Sequence, residues 1–240
     1  MTRDFVGFRP AALTFLRQLA KHNNREWFES HREAYDAELR APLAALVEEM
    51  DVRLATTAPE LIGDPKRSIF RIHRDVRFSK DKSPYKRHIS FWIQHRDRGR
   101  AGRSAGSDVH GGAGLYFQLQ PGESLVAGGM WMPESPALAR IRESLTDDQT
   151  GFEGALRAFR RRFGHLSEEA VLKRVPRGFT DEHPAAHWLR YKSFTASRPL
   201  TDAQVTRRDL PDLLMREYTA LIPLVRWLNA AVGLRAASRR

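Results

Sequence analysis

The stretch His88-Ile-Ser-Phe-Trp-Ile-Gln-His95 decides the fold of this chain, because its side chains alternate with a period of two. The apolar residues Ile89, Phe91 and Ile93 share one side, and more polar side chains share the other. This alternation is typical of a β-strand with one buried face.

The same alternation recurs in residues 68–78, 114–120 and 124–132. Apolar residues at helical spacing flank these strands in residues 11–21, 27–54, 138–145, 152–163 and 210–234. Strands with one apolar face favour an antiparallel sheet, because such a sheet needs cover on one side only. We therefore predict an α+β fold: an antiparallel sheet of about four or more strands, covered by helices on one face, with helical N- and C-terminal segments.

The length of 240 residues and the lack of an obvious linker predict a single domain over residues 1–240. We expect residues 1–60 to be helical, residues 66–132 to form the sheet core, and residues 134–240 to be helical and irregular. Within the core, residues 96–113 are rich in Gly, Ser and Arg, which predicts a mobile loop. Residues 176–197 are expected to be irregular.

The composition excludes several classes of site. There are no cysteines, which rules out disulfides, a thiol nucleophile and cysteine-ligated metal sites. The first residues lack the apolar stretch of a signal peptide, and no long apolar run would cross a membrane. We expect a cytoplasmic protein without a membrane partner, and the sequence does not predict its oligomeric state.

Positive charge is concentrated in residues 66–100, where 12 Lys or Arg face only three acidic residues, Asp75, Asp81 and Asp97. The net charge of the whole chain is +11, so this window carries most of the excess. Concentrated charge of this kind predicts a surface that faces an anion. The alternative is a solvated face whose ion pairs contribute little.

Within this window several residues are candidates for specific roles. Arg71 and Arg77 are candidates to bind phosphate or carboxylate through both guanidinium nitrogens. His73 and Asp75 are a candidate acid–base pair, although side chains two apart on a strand need not touch. The further candidate ligand-binding residues are Arg74, Ser79, Lys80, Lys82, Tyr85, Lys86 and His88.

A second candidate lies at the start of the second helical segment. Asn23 and Glu26 have the spacing of a helix capping box, which leaves Asn24 and Arg25 as candidates for ligand binding. A helix N-terminus at this position is itself suited to an anion.

Other motifs carry no site. Two Ser-x-x-Lys pairs in residues 79–86 match the spacing of serine–lysine enzymes, but Pro84 blocks the helix that those enzymes need. His183 and His187 lack the glutamate of a zinc-protease helix. Nucleotide-binding glycine motifs do not occur, so we expect neither a metal nor a cofactor.

Four segments together resemble a family of bacterial and fungal proteins known as domain of unknown function 2461. They are Asn23-Asn-Arg-Glu-Trp-Phe28 with His31 and Tyr35; Phe70 through Lys86; Gly114-Leu-Tyr-Phe-Gln-Leu119 with Gly128-Gly-Met-Trp-Met-Pro133; and Pro176-Arg-Gly178 with His183-Pro184 and Leu189-Arg-Tyr-Lys-Ser-Phe194. The Arg/Gly loop after Gln94 departs from the family pattern. The resemblance supports one domain and the position of the site, and it implies no reaction.

The sequence is compatible with three functions. The first is binding of an anion through a basic polar pocket, with a phosphate-containing small molecule or nucleic acid as the ligand. The second is an enzyme that acts on a small anionic substrate through the His73/Asp75 pair. The third is an adaptor that docks an acidic protein.

Overall fold

The computed structural model describes residues 5–77, 79–98 and 112–236. Its centre is a five-stranded antiparallel sheet with the strand order β1-β2-β3-β4-β5. The strands are β1 Leu61–Ile62, β2 Ile89–His95, β3 Gly114–Leu119, β4 Ser124–Met130 and β5 Phe194–Leu200. The predicted α+β fold is confirmed.

One face of the sheet carries the core. Phe91 of β2 lies opposite Phe117 of β3, and Phe117 lies opposite Val126 of β4. All three side chains are fully buried. Trp92 and Tyr116, which are also opposite each other, lie half-buried on the other face, as the alternation of residues predicts.

The N-terminal helices are α1 Pro10–Lys21, α2 Arg25–Ser30, α3 Arg32–Tyr35 and α4 Ala41–Thr57. Asn24 caps α2 by accepting the backbone N–H of Trp27 at 2.9 Å, so the cap is one residue later than the predicted Asn23. A π-helical turn, Asp36–Arg40, joins α3 to α4. Pro42 is the second residue of α4, which follows the π-helical turn without a break, so its missing N–H leaves a gap in the helical hydrogen-bond series.

The C-terminal helices are α5 Ser135–Asp147, α6 Gln149–Phe163, α7 Ala186–Leu189, α8 Asp202–Val205 and α9 Leu210–Ala231. The apolar side of α9 packs on β3 and β4, while α4 packs on β2 and α6 on β5. These three helices cover the core face of the sheet, and α9 continues through the internal Pro223. Among the described residues, no helix is long and apolar enough to cross a membrane.

The predicted strand over residues 68–78 is wrong. Its described residues form only isolated bridges, from Ile69 to Phe91 and from His73 to Tyr85. The segment changes partner part-way: Phe70 donates its N–H to Ser90 of β2, whereas Arg74 donates to the carbonyl of Pro84. A ladder cannot continue across this change of partner, and Phe78 lies outside the described residues.

The prediction that residues 176–197 are irregular missed the start of β5. Its sequence contains Pro199, which weakens any strand prediction because proline has no N–H to donate. β5 accommodates the proline because, among the described strands, it lies at the sheet edge and pairs with β4 alone. Most of the predicted loop over residues 96–113 lies outside the described residues.

Candidate anion-binding site

A cavity of about 460 Å³ lies between the α2–α4 region and residues 65–73. Its basic lining residues are Arg32, Arg40, Lys66, Arg71 and His73. Aromatic and aliphatic side chains, among them Phe28, Tyr35, Ile69 and Ile72, also contribute to its walls. Within the part of the chain that the structure describes, no Asp or Glu lines this basic cavity.

The wall of the basic cavity is built by contacts between distant segments. Asn23, in the turn before α2, uses its side-chain amide to hold the backbone of Tyr85. The Tyr85 ring then stacks on Phe28 with centroids 4.1 Å apart, and Phe28 lies 5.2 Å from Tyr35. His73 adds its ring 5.1 Å from Tyr85. This aromatic cluster fixes α2 and α3 against the segment that carries Arg71 and His73.

The π-helical turn brings Arg40 to the same cavity. A π turn holds one more residue than an α turn, so it changes the direction of every side chain that follows relative to those before it. Arg40 is the last residue of this turn and lines the cavity with Arg32 of α3. Turns of this kind occur frequently at functional sites.

The basic side chains of the cavity differ in how their charge is balanced. Arg32 is held by Glu29 through two hydrogen bonds of 2.9 and 2.8 Å, and it lies over the Phe28 ring. Among the described residues, Arg40, Lys66 and Arg71 form no ion pair. Burial raises the pKa of the Tyr35 phenol, which therefore stays protonated and able to donate.

The polar turn over residues 74–83 balances its own charges. Arg74 binds Asp81 and also donates to Ser83 at 2.7 Å and Ser79 at 3.3 Å. Lys82 donates to the carbonyl of Val76 at 3.0 Å. Hydrogen bonds, first from Ser83 and then from Arg74, hold the pKa of Asp81 well below its usual range.

Asp75 is bound to Arg77 and not to His73. The Arg77 guanidinium donates to both carboxylate oxygens, at 3.0 Å and 2.7 Å, and lowers the pKa of Asp75 to about 2. Among the described residues, His73 and Asp75 share no hydrogen bond. The geometry therefore gives the predicted acid–base pair no support.

Lys86 and His88 lie apart from the lining of the basic cavity. The Lys86 ammonium lies 5.3 Å from the centroid of the Phe70 ring, and burial, followed by the charge of Arg71, lowers its pKa. Burial and then Lys86 lower the pKa of His88 to about 4, so the imidazole is neutral near pH 7. Phe70 makes an edge contact with Tyr116 on the outer face.

Residues 11–227 match the profile of a family described as "Conserved hypothetical protein (DUF2461)". The chain belongs to the DUF2461 family. This match covers most of the chain and confirms the resemblance that the motifs indicate. No curated protein and no solved structure matches the chain.

In this DUF2461 protein the predicted site residues divide into three groups. Arg71 and His73 line the basic cavity, whereas Arg74, Asp75, Arg77, Ser79 and Lys82 are bound within or beside their own turn. The third group is placed elsewhere: Asn24 is a helix cap, Arg25 and Lys80 are exposed, Tyr85 is buried, and Lys86 and His88 lie towards the outer sheet face.

Sequence reasoning missed Arg32, Arg40 and Lys66 as residues that line the basic cavity. Lys66 lies inside the basic window, so the charge concentration already contained its signal. Arg40 immediately precedes Ala41-Pro42, and a proline that follows a helix marks a change of helical geometry. The described residues contain no group of His, Asp or Glu that could hold a metal ion.

Proposed function

We propose that the basic cavity binds a phosphate-containing anion. The observation that carries this proposal is the convergence of Arg32, Arg40, Lys66, Arg71 and His73 on one cavity of about 460 Å³ without a lining carboxylate. Like charges held together in one concave space repel each other, and an anion relieves this repulsion. Phosphate suits the site because guanidinium groups bind its oxygens in pairs.

The apolar walls strengthen the case for a bound anion over a solvated surface. Phe28, Ile69 and Ile72 line the same cavity as the cations. The five basic side chains are exposed, so each contributes modestly to binding, and the apolar walls raise the energy of a charge pair only on the side that faces them. Protonated Tyr35 adds a hydroxyl donor to the wall.

The two alternatives receive less support. An enzyme built on His73 and Asp75 would need the carboxylate to orient the imidazole, whereas Asp75 is bound to Arg77. An adaptor for an acidic protein would spread its cations over a broad flat surface, whereas Arg40, Lys66 and Arg71, which are exposed, gather around one concave space. No specific observation favours either alternative.

Calorimetric titration with inorganic phosphate and with pyrophosphate, at low and at physiological salt, tests the proposal. Arg71→Ala and Arg40→Ala should each weaken binding by about 10- to 150-fold, the equivalent of one lost hydrogen bond to a charged group. Arg67→Ala is the matched control, because Arg67 is highly exposed and pairs weakly with Asp64 at 3.6 Å. Absence of phosphate and pyrophosphate binding at low salt would contradict the proposal.

A further inference from the structure

A second cavity, of about 390 Å³, lies on the sheet face that the helices leave uncovered. Four aromatic side chains line it: Phe70, Trp92, Tyr116 and Trp131. We call it the aromatic cavity. Its size is in the range of small-molecule sites.

The rings of the aromatic cavity form walls and do not fill the space. Tyr116 lies 6.2 Å from Phe70 and 5.9 Å from Trp92, and both pairs are strongly tilted. The residue opposite Tyr116 on β4 is Ala127, whose small side chain also lines the cavity. Large rings around a small residue leave room for a further flat group.

Trp131 is 69% exposed, so it contributes little buried area to folding, and the backbone directly after it is strained. The next residue, Met132, has a φ of 43°, a left-handed conformation that is unfavourable for any residue other than glycine. Its N–H donates to Ser193 at 2.7 Å, which ties this conformation to the segment before β5. Backbone strain beside an exposed tryptophan is typical of a ligand site.

Phe70 joins the two cavities. It lines the aromatic cavity and also the basic cavity, and it directly precedes Arg71 in the chain. The Lys86 ammonium lies 5.3 Å from the centroid of the same ring. A ligand that reaches across the Phe70 ring would have an anionic group beside Arg71 and a flat group beside Tyr116 and Trp131.

The far wall of the aromatic cavity offers polar groups. Thr195 and Ser197 of β5 line it, and their hydroxyls make no hydrogen bond with any described residue. A hydroxyl both donates and accepts, so two of them fit the polar edge of a heteroaromatic ring. Aromatic walls with a few polar groups are typical of sites that stack a nucleobase.

We infer that the aromatic cavity holds the base of a mononucleotide whose phosphate lies in the basic cavity. This inference rests on the proposed function for its phosphate end, and it narrows the ligand class to nucleotides. The base stacks beside Trp131 and Tyr116, and its polar edge meets Thr195 and Ser197. The phosphate is bound by Arg71, Arg40 and Lys66.

Calorimetry with matched fragments tests the inference. The probes are the four ribonucleoside 5′-monophosphates, the four corresponding nucleosides, and ribose 5-phosphate, which has the phosphate without the base. We expect at least one monophosphate to bind more than about tenfold more tightly than ribose 5-phosphate and than its own nucleoside.

Variants separate the two ends of the site. Trp131→Ala should weaken binding of the preferred monophosphate by about 5- to 150-fold and leave binding of ribose 5-phosphate unchanged. Arg71→Ala should weaken binding of both probes. Val52→Ala is the control, because Val52 is a similarly exposed apolar residue on α4 that lines neither cavity. Ala127→Leu, which narrows the aromatic cavity from β4 opposite Tyr116, should reproduce the effect of Trp131→Ala.

The outcomes distinguish the inference from the function on which it rests. If ribose 5-phosphate binds as tightly as every monophosphate and Trp131→Ala changes neither, the phosphate site stands and the base site is wrong. If no phosphate-bearing probe binds, the proposed function is wrong as well. If a single-stranded oligonucleotide binds more than about tenfold more tightly than every monophosphate, the ligand is a polymer and the mononucleotide inference is overturned.

Discussion

Asn23 and Tyr85, 62 residues apart in the chain, are joined by two hydrogen bonds. The Asn23 side-chain amide donates to the Tyr85 carbonyl at 2.9 Å, and its oxygen accepts the Tyr85 N–H at 3.0 Å. A single side chain thus pairs with a backbone unit as a neighbouring strand would. The contact connects the turn between α1 and α2 to the segment that stacks Tyr85 on Phe28.

Asn23→Ala should lower the free energy of unfolding by about 2 kcal/mol, because it leaves a partly buried N–H and C=O of Tyr85 without their partners. Urea unfolding measures this loss. Asn24→Ala is the control, because it removes one helix cap and should cost about 1 kcal/mol. Equal losses in the two variants would contradict the structural role given to Asn23.

Gly129 should tolerate no side chain. Its φ is 122°, and a Cβ there would lie 2.0 Å from the carbonyl oxygen of Phe194 on β5. We expect Gly129→Ala to cost at least about 3 kcal/mol in the free energy of unfolding, since strain and overlap add. Gly122→Ala shares the positive φ but meets open space, so it should cost only about 1–2 kcal/mol. A comparison of thermal unfolding in the two variants tests this difference.

His88 should make the fold sensitive to mild acid. Burial and the nearby Lys86 lower its pKa from 6.5 to about 4, so the unfolded chain takes up the proton first as the pH falls. The contribution of neutral His88 to the free energy of unfolding is therefore fully present above about pH 6.5, and it decreases as the pH falls towards 4. Urea unfolding of the wild type and of His88→Gln over this range should show a shallower decrease in the variant. Parallel curves would contradict the assignment.

Glu217 is 2% exposed and accepts from two guanidiniums, Arg162 at 2.8 Å and Arg198 at 2.6 Å. Removing both arginines leaves a buried carboxylate without a cation, which should cost about 3 kcal/mol or more. Glu217→Gln leaves two arginines that are about 40% exposed and free to turn into water, so it should cost less, about 1–2 kcal/mol. Chemical unfolding of Arg162→Ala/Arg198→Ala and of Glu217→Gln tests the order, and the reverse order would contradict it.

The sheet could be predicted from its sequence because burial on one face imposes a period of two, as in Ile89, Phe91 and Ile93. β5 could not, because Pro199 is acceptable only at an edge, and edge position is a property of the assembled sheet. The segment after Ser68 alternates like a strand, but its partners change between Phe70 and Arg74.

The site could be predicted only in part for a similar reason. The charge concentration located Arg71 and His73, which do line the basic cavity. Arg32 and Arg40 come from another part of the chain, and only tertiary packing brings them to Arg71. The pairing of Asp75 with Arg77 depends on the local turn, which a strand pattern does not anticipate.

The π-helical turn Asp36–Arg40 makes one cation of the site depend on the length of the chain. Loss of a single residue from this turn would restore an ordinary α-helix and rotate Arg40 by about 100° relative to α3. Such a deletion would turn Arg40 away from the basic cavity and would leave Pro42 inside a continuous α-helix. Among relatives of this chain, the presence or absence of one codon here would therefore decide whether a cation at this position faces the cavity.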